Sequence, residues 1–474
     1  MTLAAFKQSI KIAAQDGSLE QGLIGEGVMI PGLDGEVPLV YADYVASGRP
    51  LRQVEEFVAQ AVLPFYANSH TEASYCGSYM TRLRREARAE IARLCGAMQQ
   101  DSVIFTGSGA TAGLNRLVSL FGVNEAAQPV VFIGPYEHHS NILPWRESKA
   151  KVVEIPEAAG GGVDLEVLAQ ELAAHADSDL KIGSFSAASN VTGILTDPDP
   201  VSRLLHAHGA LAVWDYAGGG PYLPIDMGGQ GAARKDAVVV SPHKFPGGPG
   251  SSGVLIVNGA KVRCRCPSWP GGGTVSFVSP WHHEYSRDLA AREEAGTPNV
   301  IGDIRAALAF LVKEAVGQQR IEAREARYAQ MAWDGWADNP RLRVLGHRAA
   351  HRLPIFSFLV TDASGTPVHQ QLFTRMLSDV YGIQARGGCA CAGPYAHRLL
   401  GIGAAESASL FRDLQAGEEM KKPGWVRLNF SYLMREETAR YIIDSVNALT
   451  ERVGTLAPRY GADPETARFQ ALVA

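Results

Sequence analysis

The sequence has no apolar run that approaches the roughly 20 residues a helix needs to span a bilayer. Its first residues also lack the charged and then apolar pattern of a secretion signal, so we expect a cytoplasmic protein without a membrane segment. Cysteine is scarce, with 6 residues in a chain of 474. This excludes the dense disulfide framework of small secreted domains and predicts reduced thiols.

An excess of basic charge is also missing. The chain has 44 basic and 49 acidic residues, and the lysines and arginines are scattered. No basic surface for nucleic acid is therefore expected, and a small-molecule partner is favoured. With 46% apolar and 20% charged residues, the composition is typical of a globular protein large enough for more than one core.

Segments typical of strands and of helices alternate from about residue 102 to residue 214, which predicts an α/β fold with a mostly parallel sheet covered on both faces. An arm is predicted over 1–38 and a large domain over 39–305. A linking helix over 306–340, with one long helix over 302–331, leads to a smaller α+β domain over 341–455 and a tail over 456–474.

Lys244 is the residue to which the chemistry points first. It follows a strand-like run over 237–240 and precedes a glycine-rich loop. A desolvated lysine has a lowered pKa and can form a Schiff base with an aldehyde, for which pyridoxal phosphate is the usual partner. That cofactor also needs a carboxylate at its ring nitrogen and N–H donors at its phosphate.

Both further requirements have candidates upstream of this lysine. A strand-like run over 102–106 leads through a glycine turn over 107–111 into a helical pattern over 112–120. This arrangement suits an anion, although many such turns bind nothing. Asp215 closes a strand-like run, 29 positions before Lys244, and the small Ala217 follows it. An aspartate at a strand end is more often a turn residue or a helix cap, so this position alone leaves both readings open.

Four motifs together resemble the class V aminotransferase family of fold type I, and most of all its cysteine desulfurase and selenocysteine lyase branch. The likeness runs from about Tyr41 to Leu449. The motifs are Asp215 with Ala217; Ser241 to Lys244; Glu137-His138-His139-Ser140-Asn141 with Pro144-Trp145; and Glu294-Ala295-Gly296-Thr297-Pro298-Asn299.

The resemblance implies a pyridoxal 5'-phosphate enzyme in which Lys244 forms the Schiff base and Asp215 pairs with the pyridine nitrogen. It implies that His138 stacks on the ring and that Thr274 reaches the phosphate from a second subunit, which makes a homodimer with shared active sites. The full set of implied cofactor contacts is Ala110, Thr111, His138, Asn190, Asp215, Ala217, Ser241, His243, Lys244 and Thr274.

The same resemblance places Cys391, in the loop Arg386-Gly387-Gly388-Cys389-Ala390-Cys391, at the position of the sulfur nucleophile. Arg427 matches the arginine that grips the substrate carboxylate, and Arg386 begins the cysteine loop. Lys244, Cys391 and His138 would then be catalytic. The implied reaction cleaves the C–S bond of cysteine, or the C–Se bond of selenocysteine, and gives alanine and an enzyme persulfide.

Two features of the sequence keep other hypotheses open. Gly218 stands where the family has a glutamine, and Cys389 is an additional thiol beside Cys391. The alternative is an aminotransferase, epimerase or other lyase of the same fold, in which Cys391 is not catalytic. The third hypothesis is a non-catalytic binding protein. A sulfur-acceptor protein stays open as a partner, although no stretch of the sequence identifies one. Cys-x-Cys spacing does not favour zinc, so no metal is predicted.

Overall fold

The computed structural model describes residues 2–69 and 71–472. They form two compact units. The first unit takes the described residues of 1–23, 47–188 and 195–318, and the second takes those of 24–46, 189–194 and 319–474. The short segments 24–46 and 189–194 thus group with the C-terminal part of the chain. The predicted domains were continuous, over 39–305 and 341–455, and these ranges stay a prediction.

The helices of the described residues begin and end as follows. In chain order they are α1 Leu3–Asp16, α2 Arg52–Phe57, α3 Tyr75–Leu94, α4 Gly109–Leu120, α5 Leu143–Arg146, α6 Leu165–Ala174, α7 Pro198–Ala207, α8 Leu289–Glu293, α9 Val300–Val316, α10 Gln318–Trp336, α11 Gln370–Tyr381, α12 Gly393–Leu400, α13 Ala404–Gln415 and α14 Glu436–Leu456.

The strands have these bounds. In chain order they are β1 Met29–Pro31, β2 Glu36–Pro38, β3 Val40–Tyr41, β4 Asp101–Gly107, β5 Pro129–Ile133, β6 Lys151–Glu154, β7 Leu180–Ser186, β8 Leu211–Asp215, β9 Ala237–Val240, β10 Gly253–Asn258, β11 Val275–Val278, β12 His283–Tyr285, β13 Leu342–Val344, β14 Ile355–Val360, β15 Ile383–Gln384, β16 Arg386–Gly388, β17 Trp425–Asn429, β18 Tyr460–Asp463 and β19 Arg468–Ala471.

The first unit is built on a seven-stranded sheet in the order β4-β10-β9-β8-β7-β5-β6. The strands from β9 to β6 pair in parallel, and β10 runs antiparallel to both of its neighbours. Strands β5, β9 and β10 are buried along their whole length, as expected of strands with both faces covered. The predicted α/β fold with a mostly parallel sheet is confirmed.

Apolar packing holds α4 against this sheet. Leu114 and Leu117 of α4 belong to one buried cluster with Val239 of β9 and Leu255 of β10. Because α4 follows β4 directly, this packing fixes the first turn of the helix at the end of the strand. In sheets of this kind, ligands bind where the parallel strands end, so the ends of β7, β8 and β9 are the place to look for a site.

The long helix predicted over 302–331 is wrong, because the chain breaks it into α9 and α10. Gly317 lies between the two helices with a φ of +83°, a conformation that side-chain-bearing residues rarely adopt. Its N–H still donates to the carbonyl of Lys313, which closes the last turn of α9. The periodicity of the apolar residues continues across this glycine, and for that reason the sequence pattern missed the break.

The second unit has a four-stranded antiparallel sheet in the order β13-β14-β17-β16. Its core is aromatic, with Phe356 and Phe358 of β14 packed against Trp336 of α10 at ring-centroid distances of 5.2 and 5.8 Å. β3 extends this unit by pairing in parallel with β15. This pairing brings the segment after β3, including Asp43, alongside β17, where the Asn429 N–H donates to the Ala42 carbonyl at 2.8 Å.

A buried ion network secures the edge of the large sheet in the first unit. Arg84 pairs with two carboxylates: its Nη2 lies 2.5 Å from Glu294, and its Nε lies 2.6 Å from Asp303. Arg88 donates to both carboxylate oxygens of Glu294 at 2.7 and 2.8 Å. Burial alone would raise the pKa of Glu294, but the hydrogen bond and charge of Arg88, with the charge of Arg84, outweigh it and hold the pKa below its usual value. The first residue of the fourth motif is therefore structural.

Candidate active site

The N-terminus of α4 forms a cradle for an anion in the first unit. Gly109 begins the helix with a φ of +60°, and a Cβ at this position would lie 2.9 Å from Ser241 Oγ and 3.7 Å from His243 Nε2. The N–H of Ala110 donates to the same Oγ at 2.9 Å. The fold thus brings Ala110, Ser241 and His243 together at a helix N-terminus, which attracts phosphate through its N–H groups and positive dipole end.

Thr111 and His138 are linked through Ser140. The Oγ1 of Thr111 lies 2.6 Å from Ser140 Oγ, which in turn lies 3.0 Å from Nδ1 of His138. The backbone N–H of Ser140 donates to this Nδ1 at 3.1 Å. Since a backbone N–H can only donate, neutral His138 carries its proton on Nε2. Ser140 was quoted in the sequence only as part of the motif that contains His138, without a role of its own.

Asp215 and Lys244 come together because they follow neighbouring parallel strands. Asp215 ends β8, and Lys244 lies in the short turn Pro242–Lys244 after β9. Asp215 is buried, and its Oδ1 accepts the N–H of Ala217 at 2.7 Å. Burial raises the pKa of Asp215, and the positive charge of Lys244 acts in the opposite direction. The two charges are therefore close enough to interact.

His243 is held in its neutral form. Burial, together with the neighbouring charge of Lys244, lowers the pKa of His243 to about 4. At neutral pH the imidazole is therefore uncharged and can donate one hydrogen bond without adding a positive charge to the anion cradle. The family resemblance implied that His243 contacts the cofactor but gave no indication of its protonation state.

A buried carboxyl group, Glu137, anchors the segment that carries His138. It accepts hydrogen bonds from the Ser186 N–H at 2.9 Å, the Ser186 hydroxyl at 2.6 Å and the Asn141 side chain at 2.5 Å. Burial raises the pKa of Glu137 to about 7 against these hydrogen bonds. Ser186 ends β7 and pairs in register with Asp215, so this network connects the ends of two adjacent strands. In the sequence, Glu137 was recognisable only as the first residue of the motif that contains His138.

These residues of the first unit fit pyridoxal phosphate. The cofactor needs a lysine for its aldehyde, a carboxylate for its ring nitrogen and N–H donors for its phosphate. The chain supplies Lys244, the buried Asp215 and the first turn of α4. A Cβ at Gly109 would crowd Ser241, so the glycine allows the start of α4 to lie close to Ser241 and His243.

The second unit contains the predicted arginines. Arg427 of β17 is 3% exposed, and its Nη2 lies 2.8 Å from Oδ1 of Asp43. Its Nη1 donates to the backbone carbonyl of Asn190 at 3.0 Å. Arg386 of β16 lies with its Nε 2.9 Å from the other oxygen of Asp43. One carboxylate, which the sequence analysis missed, thus bridges both arginines.

The cysteine loop lies next to the same group. Ala390 and Cys391 have φ values of +54° and +55°, in the left-handed region that non-glycine residues rarely adopt. Asn190 Nδ2 donates to the Ala390 carbonyl at 2.8 Å, which supports this conformation. Cys391 is exposed and Cys389 is half-buried. In this structure Asn190, which the resemblance implied to be a cofactor contact, contacts the cysteine loop.

The remaining predicted contact, Thr274, lies just before the β11–β12 hairpin. Its side chain is buried, and its hydroxyl donates to the Gly271 carbonyl at 2.7 Å. In residues 2–69 and 71–472, no group of three or more histidine, cysteine, aspartate or glutamate side chains is arranged to hold a metal ion. Within the same ranges, no helix has both the length and the apolar character needed to cross a membrane.

Known proteins resemble this chain over most of its length. A probable cysteine desulfurase of Vibrio cholerae is 30% identical over 362 residues, which cover 75% of this chain and 85% of the relative. A probable cysteine desulfurase of Halalkalibacterium halodurans is 29% identical over 374 residues, which cover 77% of this chain and 88% of the relative. The apo structure of a cysteine desulfurase from Thermococcus onnurineus NA1 has a TM-score of 0.72 at 22% identity, and the match covers 87% of this chain and 94% of that structure. This structural likeness confirms fold type I.

The comparison with protein families agrees with these relatives. The model for the aminotransferase class-V family matches residues 40–418, a range that includes the lysine, the aspartate and the cysteine loop. The resemblance inferred from the four motifs is confirmed. The chain belongs to the class V aminotransferase family and is a pyridoxal phosphate-dependent, cysteine desulfurase-like enzyme.

Proposed function

We propose that this enzyme cleaves the C–S bond of cysteine, or the C–Se bond of selenocysteine, and leaves alanine and a persulfide on Cys391. The thiolate of Cys391 forms a bond with the substrate sulfur as the C–S bond breaks. The electron pair of that bond stays on the β-carbon, where a proton completes the methyl group of alanine. A thiol reductant then releases the bound sulfur as sulfide.

The residues of the first unit would activate the substrate. Bound pyridoxal phosphate would supply an electron sink for the bonds at the substrate α-carbon. Asp215 would keep the ring nitrogen protonated, and Lys244 would hold the aldehyde and then move the α-proton. His138, with its proton on Nε2, would stack on the ring and present a donor. Neutral His243 and Ser241 would bind the phosphate, while Ala217 would pack against the opposite ring face.

The residues of the second unit would select and attack the substrate. Arg427 would grip the α-carboxylate, and Cys391 would be the nucleophile. The observation that carries this proposal is the position of Cys391, which is exposed and held in a left-handed conformation by the hydrogen bond from Asn190. Strained backbone at an exposed thiol is typical of functional loops, since a loop without a function would relax.

Replacing Cys391 with serine tests this proposal. We expect the release of sulfide from cysteine, measured with dithiothreitol present, to fall by at least about a hundredfold, because serine cannot form a persulfide. Cys389→Ser should only slow the reaction. Cys266→Ser, which changes an exposed cysteine of the first unit, is the matched control and should leave the rate unchanged.

Retention of full activity by both loop variants would contradict the assignment. The enzyme would then perform other chemistry at the α-carbon, such as transamination, epimerisation or another lyase reaction, with Cys391 not catalytic. Analysis of the amino-acid product separates these cases, because only C–S cleavage gives alanine from cysteine in equal amount to sulfide.

We also propose that the active enzyme is a homodimer in which the segment around Thr274 reaches the partner's site. The support is a set of exposed apolar side chains beside it, with Trp269 exposed by 68%, Val278 by 67% and Trp281 by 91%. Apolar surface of this kind usually marks an interface. Sedimentation of the purified protein should give a dimer, and an active monomer would contradict this proposal.

A further inference from the structure

Two arginines of the second unit stand directly opposite each other in an antiparallel strand pair. Arg386 of β16 is in register with Arg427 of β17. Like charges in this arrangement repel each other and destabilise the pair. Asp43 lies between them, with Oδ2 2.9 Å from Arg386 Nε and Oδ1 2.8 Å from Arg427 Nη2. Two positive charges and one negative charge leave a single positive charge on this group, the arginine–aspartate triad.

The backbone fixes Asp43 in this position. The neighbouring Ala42 donates to the Gln384 carbonyl at 3.0 Å and accepts the Asn429 N–H at 2.8 Å. The Asp43 carbonyl accepts the hydroxyl of Tyr41 at 3.2 Å, and the residue is 8% exposed. The strands on both sides, β15 and β17, thus hold the backbone next to this carboxylate.

Arg427 keeps a donor for a ligand. Its two Nη atoms contact Asp43 and the Asn190 carbonyl. Its buried Nε has no hydrogen-bond partner among the described residues, and neither does the buried Oδ1 of Asn190. Unsatisfied polar atoms this deep in a protein are rare and require an explanation. A bound carboxylate would satisfy the Nε–H of Arg427.

We propose that Asp43 is a specificity-determining residue, which sets the triad to one net positive charge and so selects amino acids with a single negative group. This inference rests on the proposed function, since it takes Arg427 to be the residue that binds the substrate carboxylate. Cysteine has one carboxylate, whose negative charge balances the single net positive charge of the triad. Cysteine sulfinate carries a second negative group, which the triad with Asp43 does not balance.

The Asp43→Asn variant of the holoenzyme tests this charge selection. The change keeps the shape of the side chain but removes the negative charge of Asp43, so the net charge of the triad rises from one positive charge to two. We expect the ratio of kcat/KM for cysteine sulfinate to that for cysteine to rise at least about tenfold. Asp34→Asn is the matched control, because Asp34 also pairs with an arginine of this unit, Arg459 at 2.6 Å, but on the surface. Its ratio should stay within about twofold of the wild type.

A binding experiment separates this inference from the proposed function. Calorimetric titration of the holoenzyme with butyrate and with succinate compares one and two carboxylates on the same four-carbon chain and requires no turnover. Asp43→Asn should shift the preference towards succinate at least about tenfold. If the wild type releases no alanine from cysteine but this shift occurs, the proposed function fails and the role of Asp43 stands.

An unchanged preference in Asp43→Asn would overturn the inference, since a residue that only supports the fold lowers the affinity for both ligands alike. If this variant does not fold, Arg386→Gln decides the matter. It removes one positive charge from an exposed side chain and leaves the triad neutral. The preference should then move towards butyrate, and an unchanged value would again overturn the inference.

Discussion

Replacing Lys244 with alanine is expected to abolish the absorbance of the lysine-bound cofactor and to lower turnover by about 10⁴-fold, because the variant loses both the covalent bond and a proton carrier. Two other lysines of the first unit have partners of their own. Lys313 donates to the Gly220 carbonyl at 2.7 Å, and the buried Lys235, which precedes β9, lies 3.9 Å from Asp199. We therefore expect neither to replace Lys244. Absorbance spectra and trapping of the bound cofactor with borohydride measure the loss.

The control for this variant is Lys261→Ala, which changes an exposed lysine of the same unit. It should keep both the absorbance band and the rate. An adduct that borohydride still traps in Lys244→Ala would mean that another lysine binds the cofactor, and the assignment of the site in the first unit would have to be abandoned.

Replacing Asp215 should have the second largest effect. Asp215→Ala removes the carboxylate that keeps the ring nitrogen protonated, and we expect turnover to fall by about a thousandfold together with weaker cofactor binding. Asp215→Asn keeps the shape of the side chain and should lose nearly as much activity, since the charge is what matters. Cofactor affinity measured by fluorescence and steady-state rates test both variants.

Asp226→Asn provides the comparison for Asp215. Asp226 is an exposed carboxylate of the same unit whose Oδ1 accepts the Gly228 N–H at 2.9 Å. Its replacement should change neither cofactor affinity nor turnover. Near-normal turnover in Asp215→Asn would show that the charge of Asp215 is not needed, and the ring nitrogen would then require a different partner.

The fold could be predicted from the sequence because the signal is local. Buried β-branched runs such as Val238–Val240 and the helices between them alternate at regular intervals, and this pattern predicts a parallel sheet without knowledge of any contact. The polar residues at the strand ends follow from the same pattern. Asp215 and Lys244 were proposed in this way, and the structure does bring them within electrostatic reach.

The contacts that the sequence did not reveal are those between distant positions. Asp43 meets Arg386 across 343 positions and Arg427 across 384, and no local pattern links them. The hydrogen bond from Asn190 to Ala390 spans 200 positions. The protonation states of Glu137 and His243 could not be predicted either, because burial determines their pKa values. The apolar pattern of a strand predicts burial for its apolar residues but not for the polar residues nearby.

The ion network around Glu294 also has a consequence for how separate chains meet. Strand β4 lies at one edge of the seven-stranded sheet, where its outer backbone groups could pair with a strand of another molecule. Glu294 accepts the Phe105 N–H at 2.7 Å, and Arg88 donates to the Val103 carbonyl, so two side chains occupy the positions a foreign strand would take. In the folded protein the network therefore hinders edge-to-edge pairing with another molecule at these two positions.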